Sequence, residues 1–198
     1  MPAIQSGEIY VGDSYPGSNI YVGDYTQAGG GSGAYSFEAN NAVGGAPPNA
    51  YITLDTPINT NVLSITWRHK DHLVKNRGTL LGSTAGGTTT DAIEVFNNTS
   101  GNWEFKIWTN GSASSIASAI PATAAWTDMA ITIDQGSIKI YVEGQLVANP
   151  NLADHTFNFN LIGAPFLGAS STHLRANLDN FRVFSEALKQ IQVNALLT

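Results

Sequence analysis

Hydrophobic and polar residues alternate with a period of two along most of this chain, and the clearest instance is Trp126–Val147. Thr127, Met129, Ile131 and Ile133 fall on one face of the first segment, with Asp128, Ala130 and Thr132 on the other. In the second segment, Ile138, Ile140 and Val142 alternate with Lys139, Tyr141 and Glu143. Successive side chains of a strand point to opposite sides, so each segment reads as a strand with one apolar and one polar face. Asp134-Gln135-Gly136-Ser137 supplies the reversal between them, and Glu143-Gly144-Gln145 a second. Two half-buried strands cannot stand alone, so this hairpin predicts a second sheet over its apolar face.

The pattern recurs on both sides of the hairpin. Leu63, Ile65 and Trp67 share a core face, while Thr66, Arg68 and Lys70 share the other. Trp103, Phe105 and Ile107 alternate inward, with Glu104, Lys106 and Trp108 outward. Shorter strand-like segments are Tyr35–Phe37, Tyr51–Leu54, Gly78–Gly82, Ala92–Phe96, Phe157–Phe159, Leu161–Gly168 and Asn177–Phe184. Thr56-Pro57 reads as a break, and the Ser/Ala-rich residues 110–125 read as a traverse between sheets. About ten short strands with frequent turns predict an all-β sandwich. Only the end of the chain predicts a helix, with Ser185 as N-cap, Glu186 in the first turn, and Leu188, Ile191, Ala195 and Leu196 on one face.

Ahead of the sandwich, Ile9-Tyr10-Val11-Gly12-Asp13 recurs as Ile20-Tyr21-Val22-Gly23-Asp24. Each copy is a short strand ended by a turn and too small for its own core, so this arm must pack on its own domain or on a neighbouring subunit. The Gly-rich run Ala28–Gly33 divides the chain into an arm and linker, residues 1–34, and a sandwich, residues 35–198. The repeat resembles those that open tailed-phage virion proteins. That resemblance implies a virion structural role, as a capsid decoration or a tail- or fibre-associated protein, in an oligomeric assembly. Its partners would be other virion or surface proteins, met through residues 1–27.

Composition narrows the classes. Charged residues make up only 12% of the chain, and Gly, Ser, Thr and Asn fill the gap, which suits turns and short strands. The net charge of -6 and the absence of a Lys/Arg cluster argue against nucleic acid as a partner. No apolar run approaches the roughly twenty residues of a membrane span. With no cysteine, disulfides and thiolate metal sites are excluded. Residues 1–13 lack the basic and apolar regions of a signal peptide.

Leu178-Asp179-Asn180-Phe181-Arg182-Val183-Phe184-Ser185-Glu186-Ala187-Leu188 resembles the closing strand and short helix of laminin G-like, concanavalin A-like jelly-roll domains. The Trp126–Val147 hairpin, Ser64-Ile65-Thr66-Trp67, Gly78-Thr79-Leu80-Leu81 and Ile162-Gly163 stand where that family places its strands. The resemblance spans residues 35–198. It implies two antiparallel sheets of about six strands each, one of them concave. It leaves activity open, because the fold hosts lectins, adhesion modules, hydrolases and structural domains.

Glycosidases of this family carry a Glu-x-Asp-x-x-Glu pattern that puts acid and nucleophile on one strand face, and the pattern is absent here. The chain is therefore expected not to be an enzyme and to require no cofactor. His69 and His72 fall on opposite strand faces, a poor start for a metal site. Asp179 shares its predicted face with Phe181 and Val183, where a carboxylate needs amide partners or a cation. In related jelly rolls a structural calcium joins such an acid to one near the first strand, and the resemblance assigns that place to Glu38.

Trp108 and Tyr141 fall on polar strand faces beside Lys106 and Glu143, and Arg68 shares this outward class. Aromatic rings flanked by planar polar groups suit sugars, whose C–H faces stack while their hydroxyls bond amides and carboxylates. The alternative is that these rings are covered by residues 1–27 or by a partner chain. Carbohydrate binding in an adhesion module of a bacterial cell surface is thus the second reading beside the virion role.

Overall fold

The structure is a computed structural model that describes residues 9–11, 20–22, 26–27, 35–37, 52–71, 78–83, 90–165, 174 and 176–197. Glu38, His72, the Gly-rich run and residues 166–168 of the predicted Leu161–Gly168 strand lie outside the described residues. Among the described residues no helix is long and apolar enough to cross a membrane.

Two antiparallel sheets face each other across one core. Sheet A contains β1 (Ile9–Val11), β3 (Thr26–Gln27), β4 (Tyr35–Phe37), β6 (Val62–Asp71), β11 (Thr127–Asp134), β12 (Ser137–Val142), β13 (Gln145–Ala148) and β15 (Ala176–Phe184). Its order is β13-β12-β11-β6-β15-β4-β3, with β1 also on β15. Sheet B contains β2 (Ile20–Val22), β5 (Ile52–Thr60), β7 (Thr79–Gly82), β8 (Ala92–Asn97), β9 (Asn102–Thr109), β10 (Ser112–Pro121) and β14 (Phe157–Ile162), in the order β10-β9-β8-β7-β14-β5-β2. This is the two-sheet jelly-roll sandwich, with larger sheets than the resemblance implied. The two copies of the N-terminal repeat do not pair with each other. Ile9 lies opposite Val183 in sheet A, and Ile20 opposite Leu54 in sheet B.

The alternation fixes the core. Leu63, Ile65 and Trp67 of β6, Trp103, Phe105 and Ile107 of β9, and Met129, Ile131 and Ile133 of β11 are all buried in one cluster with Phe159 and Phe181. At roughly 1.5–3 kcal/mol per fully buried large apolar side chain, this cluster dominates the stabilisation. The β11–β12 register, Ile131 opposite Ile140, follows from the two-residue turn at Gln135-Gly136, both with positive φ (47° and 91°).

Three sequence expectations are corrected. Residues 112–121 are not a traverse but the edge strand β10, whose Ser114, Ile116, Ser118 and Ile120 face inward while Ala113, Ser115, Ala117 and Ala119 are exposed. Pro57 does not break β5; it lies where the β5–β14 register shifts, between the Ile58–Phe159 and Thr53–Leu161 pairs, so its missing N–H costs no ladder bond there. The helix α1 is Gln190–Leu196, starting later than Ser185. Ser64 accounts for the delay: its hydroxyl donates to Glu186 O (2.7 Å) and accepts from Leu188 N (2.8 Å), tying residues 186–188 to β6 of sheet A ahead of the helix. Lys189 N then donates to Gln192 Oε1 (2.8 Å), and Val193, rather than the 77% exposed Ile191, points inward.

Candidate functional site

The sequence grouped Trp108, Tyr141, Arg68, Lys106 and Glu143 as outward side chains, and the sandwich divides them between its two outer faces. Lys106 and Trp108 lie on sheet B; Arg68 and Tyr141 belong to sheet A, and Glu143 lies in the turn between β12 and β13 of that sheet. They do not form one site.

On sheet B, β9 alternates buried Trp103, Phe105 and Ile107 with half-buried Glu104, Lys106 and Trp108. The Asn110-Gly111 turn, with φ of 49° and 79°, sends the chain back as β10, so Ala113 lies opposite Trp108, Ser115 opposite Lys106 and Ala117 opposite Glu104. Asp91 anchors that turn. Its Oδ1 accepts from Asn110 N (3.2 Å) and pairs with His155 Nε2 (2.8 Å), and its Oδ2 accepts from Asn158 N (3.0 Å). Trp108 leans toward β8, where its indole N–H donates to Oε1 of the buried Glu94 at 3.0 Å. Lys106 Nζ stands 5.2 Å from the Trp108 ring centroid, a cation–π contact. The result is a partly open aromatic platform with a fixed ring plane, bordered by small side chains and by one acid and one base. The arm strand β2 joins the far edge of this sheet, separated from β9 by β8, β7, β14 and β5. Glu94 was not singled out in the sequence, although alternation from Ile93 and Val95 already turned it outward.

On sheet A the outer face is half covered. Tyr141, expected as a ligand contact, is only 1% exposed. It is on the predicted face, but Leu188 and Val193 close over it and Ala130, with Phe184, Leu196 and Leu197 packed around them. Burial raises the Tyr141 hydroxyl above its ordinary 10.0, and a hydrogen bond with Thr132 opposes the rise.

The uncovered half is polar. Arg68 Nε and Asp128 Oδ1 are 3.0 Å apart, the Arg68 guanidinium lies 5.6 Å from the Trp126 ring, and Glu143 Oε1 accepts from Asp128 N at 2.8 Å. Asp179 is opposite Arg68 in the β15–β6 register. Here the predicted core facing of Asp179 is corrected, while Glu38, the other residue of the calcium expectation, lies outside the described residues. Between Asp179, opposite Arg68, and Arg182, opposite Thr66, β15 carries one extra residue, and Asn180 takes φ 50°. This bulge shifts the alternation, so Leu178 and Phe181 face the core while Asp179 turns out and accepts from Asn180 N (2.8 Å). Among the described residues no three His, Asp or Glu side chains are grouped to hold a metal. His69 is buried on the core face, edge-on to Trp103 with ring centroids 5.1 Å apart.

Burial raises the Asp128 carboxyl above its ordinary 3.8; Arg68 opposes this, and the charges of Glu143 and Asp179 reinforce it. A carboxyl raised in the folded state favours folding below its unfolded pKa, and that contribution is lost as pH rises through the folded value. The unfolding free energy of the native chain minus that of Asp128→Asn is therefore expected to increase as pH falls from about 7 to about 4. Urea titrations at a series of pH values measure this difference; a constant difference contradicts the assignment.

A family model described as the concanavalin A-like lectin/glucanases superfamily matches residues 48–194. Similar solved structures include a native heptameric SAP-like pentraxin from Limulus polyphemus, 15% identical over 83% of this chain and 81% of that one, with a TM-score of 0.68. Domain 4 of AbnA, a GH43 extracellular arabinanase from Geobacillus stearothermophilus solved with arabinotriose, is 18% identical over 96% of this chain and 88% of that one (TM-score 0.63). The CBM40 of a Ruminococcus gnavus IT-sialidase, bound to α2,3-sialyllactose, is 13% identical over 70% and 84% (TM-score 0.58). At these identities the likeness is one of fold. No curated protein matches the sequence.

Proposed function

Because the chain belongs to the concanavalin A-like lectin/glucanase superfamily, we propose that it is a non-catalytic carbohydrate-binding module whose contact platform is Trp108 on the outer face of sheet B. The observation that carries this is the ring itself: a half-buried Trp on an outward strand position, its plane held by the 3.0 Å bond to buried Glu94. A sugar ring stacks its C–H face on such a surface, and a ring fixed in advance loses little entropy on binding. Lys106 and Ser115 border it with donors and acceptors for hydroxyls, and Glu104 continues the same face one pair further along β9. The domain solved with arabinotriose and the module bound to sialyllactose share this fold, which supports saccharide binding as the first class to test. An extracellular or cell-surface setting belongs to this reading. The virion setting is a second proposal, carried only by the N-terminal repeat.

A glycan array followed by calorimetry tests the module. Trp108→Ala is expected to weaken the tightest hit roughly thirtyfold, the loss of about 2 kcal/mol typical of a central aromatic contact. Circular dichroism of the variant separates lost contact from lost fold, since Glu94 loses its indole partner. An array without hits, or a hit indifferent to Trp108→Ala, removes the proposal.

A further inference from the structure

The uncovered half of the outer face of sheet A contains a depression of about 160 Å³ beside the end of α1, lined by Thr66, Arg68, Asp128, Asn180, Leu196 and Leu197. We propose that it is a second saccharide site, which takes one neutral sugar ring on the face of the sandwich opposite Trp108.

Three properties select that ligand. The first is charge. Of the residues that line the depression only Arg68 and Asp128 are charged, and they are paired with each other at 3.0 Å. The site has no excess charge to offer an ionic ligand. The second is hydrogen-bonding capacity. A guanidinium carries five N–H donors and a carboxylate about four acceptor positions, so one ion pair leaves most of both unused. The Arg68 side chain is 41% exposed, which leaves that capacity accessible. Hydroxyls, which donate and accept at once, match such a mixed lining; ketones or amines match only half of it. The third is shape. Leu196 and Leu197 border the depression beside these polar groups, so a molecule with a rim of hydroxyls and a C–H face meets a mainly polar lining with a limited apolar edge. The volume is well below the roughly 300–1,000 Å³ of sites for drug-sized ligands, which restricts the occupant to a single ring.

The depression stands on its own geometry. Its consequence, that one chain holds saccharides on two opposite faces and so links two glycan strands, rests on the Trp108 reading as well.

Saturation-transfer NMR on the full chain carrying Trp108→Ala, which silences sheet B, tests the site with the methyl glycosides of glucose, galactose, mannose and arabinose. Glucuronic acid serves as the anionic control. Transfer to at least one neutral glycoside is expected, with binding at least tenfold weaker in Arg68→Met and in Leu197→Trp. Arg68→Met can disturb β6, whereas Leu197→Trp fills the depression from a half-buried position at the C-cap of α1, outside the strands of the sheet. No transfer to any neutral glycoside, stronger binding of glucuronic acid, or binding unchanged in Leu197→Trp overturns the proposal. Transfer that persists in Trp108→Ala while array binding proves independent of Trp108 overturns the sheet B reading and leaves this one standing.

Discussion

Gly82→Ala is expected to destabilise the protein by at least about 3 kcal/mol, the upper range for overpacking a tight core. At roughly 2–4 °C per kcal/mol for a chain of this size, the Tm falls by about 6–12 °C. The reason is not backbone conformation but space. A Cβ at Gly82 stands 2.1 Å from Ala164 O, 2.6 Å from Pro165 O and 2.7 Å from Pro165 Cα. All three are main-chain atoms, so no side chain can swing aside. The strand is held there on both flanks: Gly82 is paired with Leu161 of β14 and Ser83 N donates to Pro165 O at 3.1 Å on one side, while the neighbouring Leu81 is paired with Ile93 of β8 on the other. Any relief must therefore break the β7–β14 ladder at the middle of sheet B. Differential scanning calorimetry reads the effect; an unchanged Tm means that residues 164–165 yield freely.

Tyr141→Ala is expected to cost about 3–5 kcal/mol, as for other buried aromatics truncated in a core, and to release the C-terminal segment from sheet A. Tyr141 is the large side chain on which Leu188 and Val193 rest, and with it gone that cluster keeps only the small Ala130 beneath it, beside the Ser64 bonds and the 2.7 Å bond from Gln190 Nε2 to Gly144 O. Limited proteolysis between residues 185 and 197 should accelerate, and saccharide binding in the sheet A depression should disappear while binding at Trp108 persists. Tyr141→Phe keeps the ring and isolates the hydroxyl. Because burial raises that hydroxyl above 10.0, its contribution is complete below pH 10 and is lost as pH rises through the folded value. The alkaline decline in stability should therefore be shallower in Tyr141→Phe, measured as the difference between the two urea midpoints.

Wherever apolar residues alternated strictly, the sequence was sufficient to place side chains. The inward sets of β6, β9, β11 and β12 are those read from the pattern, because a half-buried strand has no other way to satisfy both its faces. What failed did so for local reasons. β10 has Ala and Ser at most positions, so its two isoleucines gave too little signal; the Asn110-Gly111 pair at its head was the available hairpin cue. The bulge at Asn180 reversed the phase of Asp179, and a single extra residue leaves no mark in a hydrophobic pattern. Tyr141 was placed on the correct face, but alternation within a strand says nothing about a later segment laid over that face. The site suffered most, because it depends on which sheet each strand joins. Arg68 and Trp108 are equivalent in a period-two pattern, and only the strand order separates them.

That strand order also governs when the domain can form. β15, the last strand in the chain, is not at an edge: β6 flanks it on one side and β1 and β4 on the other, with Val183 paired to Ile9 and to Ile65. Loop closure over more than 170 residues must precede the first of those pairings, which is slow relative to local hairpins. On the ribosome, β11 and β12 can pair as soon as they emerge, but β6 keeps an open ladder edge until residue 184 is out. The half-made domain thus exposes a strand edge throughout synthesis, and truncations that remove β15 should yield insoluble protein rather than a smaller sandwich.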